Sequence, residues 1–90
     1  MSWVVAGAEA ALNAWLDIDT SVDHTLASHV REWIEGFVEL GPNRHDCIEL
    51  YNDGARRTVM VALSTVQVSF LPDHEQNVIV IRAIGRPRGL

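Results

Sequence analysis

Apolar residues recur along this chain in two rhythms. Leu26, Val30, Trp33, Phe37 and Leu40 are spaced 4, 3, 4 and 3 residues apart, the repeat of one helical face. They predict a helix from about Val22 to Leu40. His24, Arg31, Glu32, Glu35 and Glu39 lie on its other face. Thr20-Ser21-Val22-Asp23 resembles a capping box with Asp in place of the usual Glu, and Gly41-Pro42 is a helix stop. Gly36, inside the helix, costs about 1 kcal/mol relative to Ala. Ala8, Leu12, Trp15 and Leu16 share a face in the same way and predict a shorter helix over 8–16. Ahead of it, the aromatic and β-branched run Ser2-Trp3-Val4-Val5-Ala6 reads as a strand ended by Gly7.

After Gly41 the rhythm changes. Residues 43–56 are mixed, with turn chemistry at Asn52-Asp53-Gly54; Ile48 and Leu50 suggest a short extended or helical piece that packs. From Arg57 the pattern has the period of strands: 57–63, 66–71 and 77–84. Residues 72–76 are expected to turn, because Pro72 cannot serve a central strand. In the last strand Ile79 and Ile81 lie on one face, and Val78, Val80, Arg82 and Ile84 on the other. Apolar residues on both faces make that strand central. The order β-α-α-β-β-β predicts an α+β fold, with two helices packed on a mostly antiparallel twisted sheet. The first strand is expected to insert into that sheet, and residues 1–90 form a single domain.

Composition narrows the class. With 48% hydrophobic residues in 90, the chain can build a core without staples. Cys47 is the sole cysteine, so neither an internal disulfide nor a multi-cysteine zinc site is available. The apolar N-terminus lacks a basic region and carries Glu9, unlike a signal peptide. No stretch is long and apolar enough to span a membrane, and a cytoplasmic location is expected. The net charge of −5 argues against general affinity for nucleic acid. It is unevenly divided: residues 1–53 carry −8 and residues 54–90 carry +3. The basic C-terminal part holds Arg56, Arg57, Arg82, Arg86 and Arg88, and every basic residue of the chain is Arg.

Most candidate motifs have ordinary readings. Asp17-x-Asp19-x-Ser21-x-Asp23 opens like a calcium loop, but Val22 and Ser28 stand where that loop needs Gly and Glu, leaving an acidic turn between helices. His24 and His29 are five apart, not the four of a helical zinc pair. No metal or cofactor is therefore expected. His45-Asp46-Cys47 places a base beside a thiol, yet sequence neighbours rarely orient as a catalytic pair; a small buried cysteine is the plainer reading. Trp3, Trp15 and Trp33 read as core. Arg82, Arg86 and Arg88 are the most suggestive cluster, since guanidinium groups bind phosphates bidentately and stabilise charge in phosphoryl transfer. Alternatively they pair with the acids of the helices.

The segment Thr65-Val66-Gln67-Val68-Ser69-Phe70-Leu71, the turn Pro72-Asp73-His74-Glu75-Gln76 and the strand Asn77-Val78-Ile79-Val80-Ile81-Arg82-Ala83-Ile84-Gly85-Arg86 together resemble the closing hairpin of the RelE/ParE toxin superfamily. The element order and the Ser2-Trp3-Val4-Val5 opening are also similar to that family. Close likeness covers about the last 25 residues, short of a full family motif. The resemblance implies the toxin of a type II toxin–antitoxin pair. Its partners would be a cognate antitoxin and either mRNA on the ribosome, cleaved in RelE-like fashion, or DNA gyrase, inhibited in ParE-like fashion. A toxin-fold binding module without catalysis is the remaining alternative. The chain is expected to self-associate or to be held in a hetero-oligomer with the antitoxin. Arg86, Arg82 and Gln67 would be the catalytic positions, with Arg57 and Arg88 binding RNA. Gln67 stands where the family's strand carries Arg, and the strand before it, Thr58-Val59-Met60-Val61-Ala62-Leu63, is not basic.

Overall fold

The structure is a computed structural model describing residues 2–61 and 65–86. Its order is β1 (Val4–Ala6), α1 (Ala8–Ile18), α2 (His24–Glu35), α3 (Phe37–Leu40), β2 (Ile48–Asn52), β3 (Arg57–Val61), β4 (Val66–Asp73) and β5 (Val78–Gly85). The strands form one mixed sheet in the order β1-β5-β4-β3-β2. β2 through β5 are antiparallel neighbours, while β1 runs parallel to β5, pairing Val4 with Val78 and Ala6 with Val80. The α+β class and the insertion of the first strand are as the pattern implies.

β1 can be short because Gly7 turns the chain at once into α1. Gly7 sits at φ 79°, in the left-handed region that glycine enters without strain. A Cβ there would lie 2.8 Å from the Ile81 carbonyl oxygen. α1 then lays Ala11, Leu12 and Trp15 into the core, and α2 adds Val30 and Ile34. The helices cover one face of the sheet, meeting Val59, Val61, Val66, Val68, Phe70, Ile79 and Ile81. Phe37 joins the layers, its ring 4.9 Å from both Trp33 and Phe70. Side chains of this size contribute roughly 1.5–3 kcal/mol each when fully buried.

Four details depart from the sequence reading. α2 starts at His24, with Asp23 as its N-cap accepting from the Leu26 N–H at 2.8 Å; an N-cap carboxylate two residues later displaces the expected start. The helix also divides at Gly36, whose N–H is shared between the carbonyls of Glu32 and Trp33 at 3.2 and 3.1 Å. That tightening shifts the rotational phase, so Leu40 leaves the stripe and is 57% exposed.

The piece around Ile48 and Leu50 is extended rather than helical, and it is an edge strand, all of it exposed. It therefore does not pack as expected. Finally, Pro72 belongs to β4, paired with Ile79, and the turn occupies residues 74–77. β3 pairs with β4 only as far as Phe70, so at Pro72 β4 has a single neighbour and the missing N–H disrupts no ladder. Among the tryptophans, Trp15 is fully core, while Trp3 and Trp33 pack partly buried against it.

Candidate functional site at the arginine end of the sheet

The register of β5 breaks at Arg82. Ser69 faces Ala83 and Phe70 faces Ile81, so Arg82 is an extra residue with no partner on β4. This β-bulge changes the faces of the strand. Arg82 and Ala83 are both exposed, and Ile84 returns to the helix side, where it packs against the core. Strict alternation had placed Ile84 on the face of Val78 and Val80; the inserted residue is the reason it does not stay there.

Arg82 lines two depressions. One is a cleft of about 520 Å³ between α1 and the end of β5, walled by Ala11, Ala14, Trp15 and Ile18 on one side and Arg82 to Arg86 on the other. The second, of about 380 Å³, lies on the face of the sheet that no helix covers, where Arg82 meets Arg56, Ser69, Leu71 and Ala83. Arg82 has no hydrogen bond or ion pair among the described residues. Beside it, Thr58 and Ser69 share a hydrogen bond between their hydroxyls at 2.9 Å.

Arg86 is half-exposed at the end of β5, and its Nε lies 2.9 Å from Asp19 Oδ2. Asp19 caps the C-terminus of α1, and its Oδ1 also accepts from the Ser21 N–H at 3.1 Å and hydroxyl at 2.5 Å. The Ser21 hydrogen bonds first, and the Arg86 charge after them, hold the Asp19 carboxyl below the usual range. Arg86 thus realises the pairing with helix acids, and Arg82 does not. Gln67 is on β4 in register with Gly85. The fold therefore brings Gln67, Arg82 and Arg86 to adjacent strands at one end of the sheet.

Arg57 stands apart from them. It lies on the helix side of β3, its guanidinium 5.4 Å from the Phe70 ring. It donates to Glu49 Oε1 at 2.7 Å, the Pro42 carbonyl at 2.7 Å and Asn43 Oδ1 at 2.9 Å. Arg88 lies outside the described residues. Arg56 was not singled out by sequence reasoning. Its signal was the Asn52-Asp53-Gly54 turn, whose Asp53 Oδ1 accepts from the Ala55 and Arg56 N–H groups and so fixes where Arg56 leaves the backbone.

His45-Asp46-Cys47 holds no activated thiol. Asp46 gives both carboxylate oxygens to Arg44, at 2.5 and 2.6 Å, and burial pushes the Cys47 thiol up. No group of three or more metal-ligating side chains occurs among the described residues, and no helix of the described residues is long and apolar enough to cross a membrane.

No protein-family model matches the chain, and no curated protein does. Solved structures do. The Escherichia coli toxin RelE, determined as a double arginine-to-alanine mutant in the free state, is similar over 98% of this chain and 86% of its own, with 14% identity and a TM-score of 0.67. A chain of the archaeal RelE–RelB complex from Pyrococcus horikoshii OT3 is similar over 99% of this chain and 98% of its own, with 19% identity and a TM-score of 0.63. At such identities the likeness is one of fold, and the chain has a RelE-like toxin fold.

Proposed function

We propose that this chain is the toxin of a type II toxin–antitoxin pair and that it cleaves mRNA on the ribosome with the arginine end of β5. The observation that carries the reading is the bulge at Arg82, which leaves an unpartnered guanidinium exposed beside Arg86 in a RelE-like fold. Attack of a ribose 2′-hydroxyl on the adjacent phosphate forms the 2′-O–P bond, breaks the P–O5′ bond with the 2′ proton passing through water to the leaving 5′-oxygen, and builds negative charge on the non-bridging oxygens in between. A free guanidinium is suited to neutralise that charge through two parallel N–H donors. Arg86 would add a second cation once the phosphate displaces Asp19, and the Gln67 amide a neutral donor. Arg57 would reach RNA only by giving up Glu49, so it would contribute least; Arg88 would extend the basic end. The RelE–RelB neighbour supports an antitoxin as the partner that holds the toxin inactive.

A second reading, a toxin-fold module that binds without cleaving, draws on one observation. Among the described residues lining the two depressions, the acid–base candidate is Asp19 alone. Its carboxyl is held below the usual range, a poor base for a 2′-hydroxyl near neutral pH.

Induced expression in a bacterial host, with growth followed and mRNA 5′ ends mapped, separates these readings. Growth arrest with new codon-phased cuts, abolished by Arg82→Ala and weakened by Arg86→Ala, is the expected result. Arrest without cuts would transfer the proposal to gyrase. Folded protein without arrest would leave the binding module.

A further inference from the structure

We infer that β2 is a dimerisation edge, where two copies of this chain join through antiparallel pairing of Ile48–Asn52 into one sheet continuous through both. This goes beyond the toxin reading and does not depend on it. β2 ends the sheet, so among the described residues no strand answers its outward N–H and C=O groups. All of its residues are exposed. Three of the seven large hydrophobic residues exposed among the described residues fall on it, namely Ile48, Leu50 and Tyr51. It carries neither lysine nor proline, the residues that commonly guard an edge.

The bulge in β2 gathers apolar side chains on one side. Ile48 is paired with Met60 and Tyr51 with Thr58, the register shifting between Glu49 and Tyr51. Val59 and Val61 belong to the core under the helices, so Thr58 and Met60 face the uncovered side of the sheet. Ile48 and Tyr51 therefore share that side although they are three residues apart, which strict alternation would forbid. A second β2 laid antiparallel about a two-fold axis sets each Ile48 opposite Tyr51 of the other copy. Such aliphatic–aromatic pairs across strands stabilise sheets.

Charge singles out a second copy as the occupant. Segment 44–57 holds Arg44, Arg56 and Arg57 against Asp46, Glu49 and Asp53, a balance of zero in a chain of −5. Arg44 is bound to Asp46, and Arg57 to Glu49. Arg56 lies 5.7 Å from the Tyr51 ring, and the Tyr51 hydroxyl donates to Asp53 Oδ2 at 3.2 Å. A strongly acidic or basic partner would find these charges already answered. A copy with the same closed pairs brings no charge that lacks a partner. The opposite edge of the sheet does not extend the assembly. β1 has three residues, and beside it the Trp3 N–H is donated to the Val38 carbonyl of α3 at 2.9 Å. Pairing of β2 with itself is isologous, so it closes at two copies.

The test is sedimentation of the purified chain over roughly 1 μM to 1 mM, the range of weak to moderate complexes, with amide hydrogen exchange followed at both ends of that range. A monomer–dimer equilibrium is expected, with exchange across Ile48–Asn52 slowed at the higher concentration. Each copy carries −5 and the contact itself is neutral, so added salt should strengthen the dimer or leave it unchanged. Leu50→Lys and, separately, Ile48→Lys alter exposed positions and should weaken it at least tenfold. Ile18→Lys, exposed on α1, should leave it intact. A monomer throughout, protection at β1 or β5 instead, or growth beyond two copies would overturn the inference. So would dissociation by salt, or a dimer indifferent to both β2 variants. The exchange experiment uses the unaltered chain, so it decides the matter even where a lysine variant does not fold. Growth arrest plays no part in it, so failure of the toxin reading and failure of this inference are seen separately.

Discussion

The guanidinium of Arg44 occupies the space that a side chain on Gly36 would need. A Cβ at Gly36 would lie 2.7 Å from Arg44 Nη2 and 3.1 Å from the Trp33 carbonyl oxygen. Arg44 cannot easily yield. It donates to that carbonyl at 2.6 Å, grips Asp46 with two bonds and stacks 4.0 Å over the Trp33 ring. Gly36→Ala, which would gain about 1 kcal/mol in an isolated helix, should here destabilise the fold by about 1–2 kcal/mol, an overpacking cost. Urea unfolding measures it; a stabilised variant would show that the arginine moves freely.

Among the described residues Arg44 is the buried charged side chain, 8% exposed. Arg44→Lys keeps the charge but not the planar fork that serves Asp46 and the Trp33 carbonyl together. A loss of about 2 kcal/mol is expected, within the range for breaking charge-assisted bonds in a partly buried site. The fluorescence of Trp33, released from the planar guanidinium stacked 4.0 Å above its ring, should change in the native state.

Acid should loosen the molecule over a defined range. Hydrogen bonds from Arg44 hold the Asp46 carboxyl below its usual value, and those from Ser21 and Arg86 do the same for Asp19. A folded-state pKa below the unfolded one means that the stabilisation is complete above the ordinary aspartate value of about 3.9. It is lost as pH falls through the lowered folded values. Stability should therefore be flat with respect to these groups from neutral pH to about 5 and decline below about 4. Thermal unfolding across pH 2–7 checks this, and Asp46→Asn should flatten the acid limb. A decline already centred near pH 6 would contradict it.

Two arginines that look alike in the sequence should behave in opposite ways. Arg57→Ala removes a guanidinium with three internal partners and should cost about 1–2 kcal/mol. Arg82→Ala removes an exposed, unpartnered one and should change stability by less than about 0.5 kcal/mol. Paired denaturation curves, read beside the growth assay, separate a residue that holds the fold from one available to a ligand.

How much of this could be read beforehand depends on whether a feature is local. The strands ending the chain, the helix stripe from Leu26 to Phe37 and the N-terminal strand follow from spacing, which is a local property. The bulge at Arg82 does not, since it exists only in the register with β4, and nothing in Ile81-Arg82-Ala83 distinguishes an extra residue from an alternating one. The place of Pro72 in β4 is non-local in the same way, because its tolerance depends on where β3 stops. The site was legible as a basic cluster at Arg82 and Arg86. In the sequence Asp19 is one acid of an acidic turn, and its pairing with Arg86 exists only because α1 ends beside β5. Arg57 was misleading, because its partners at Pro42, Asn43 and Glu49 are assembled by the fold.

The pairing of β1 with β5 joins nearly opposite ends of the chain, Val4 beside Val78. Contacts of such long range form late and slow folding. During synthesis β1 emerges before β5 and must wait, unpaired, until the segment that becomes its neighbour has left the ribosome. Arg82 lies on β5 itself and Arg86 just beyond it, so the arginine end takes shape only after β5 has been made. A nascent chain in which β5 has not yet emerged therefore lacks both the neighbour of β1 and the strand that carries Arg82.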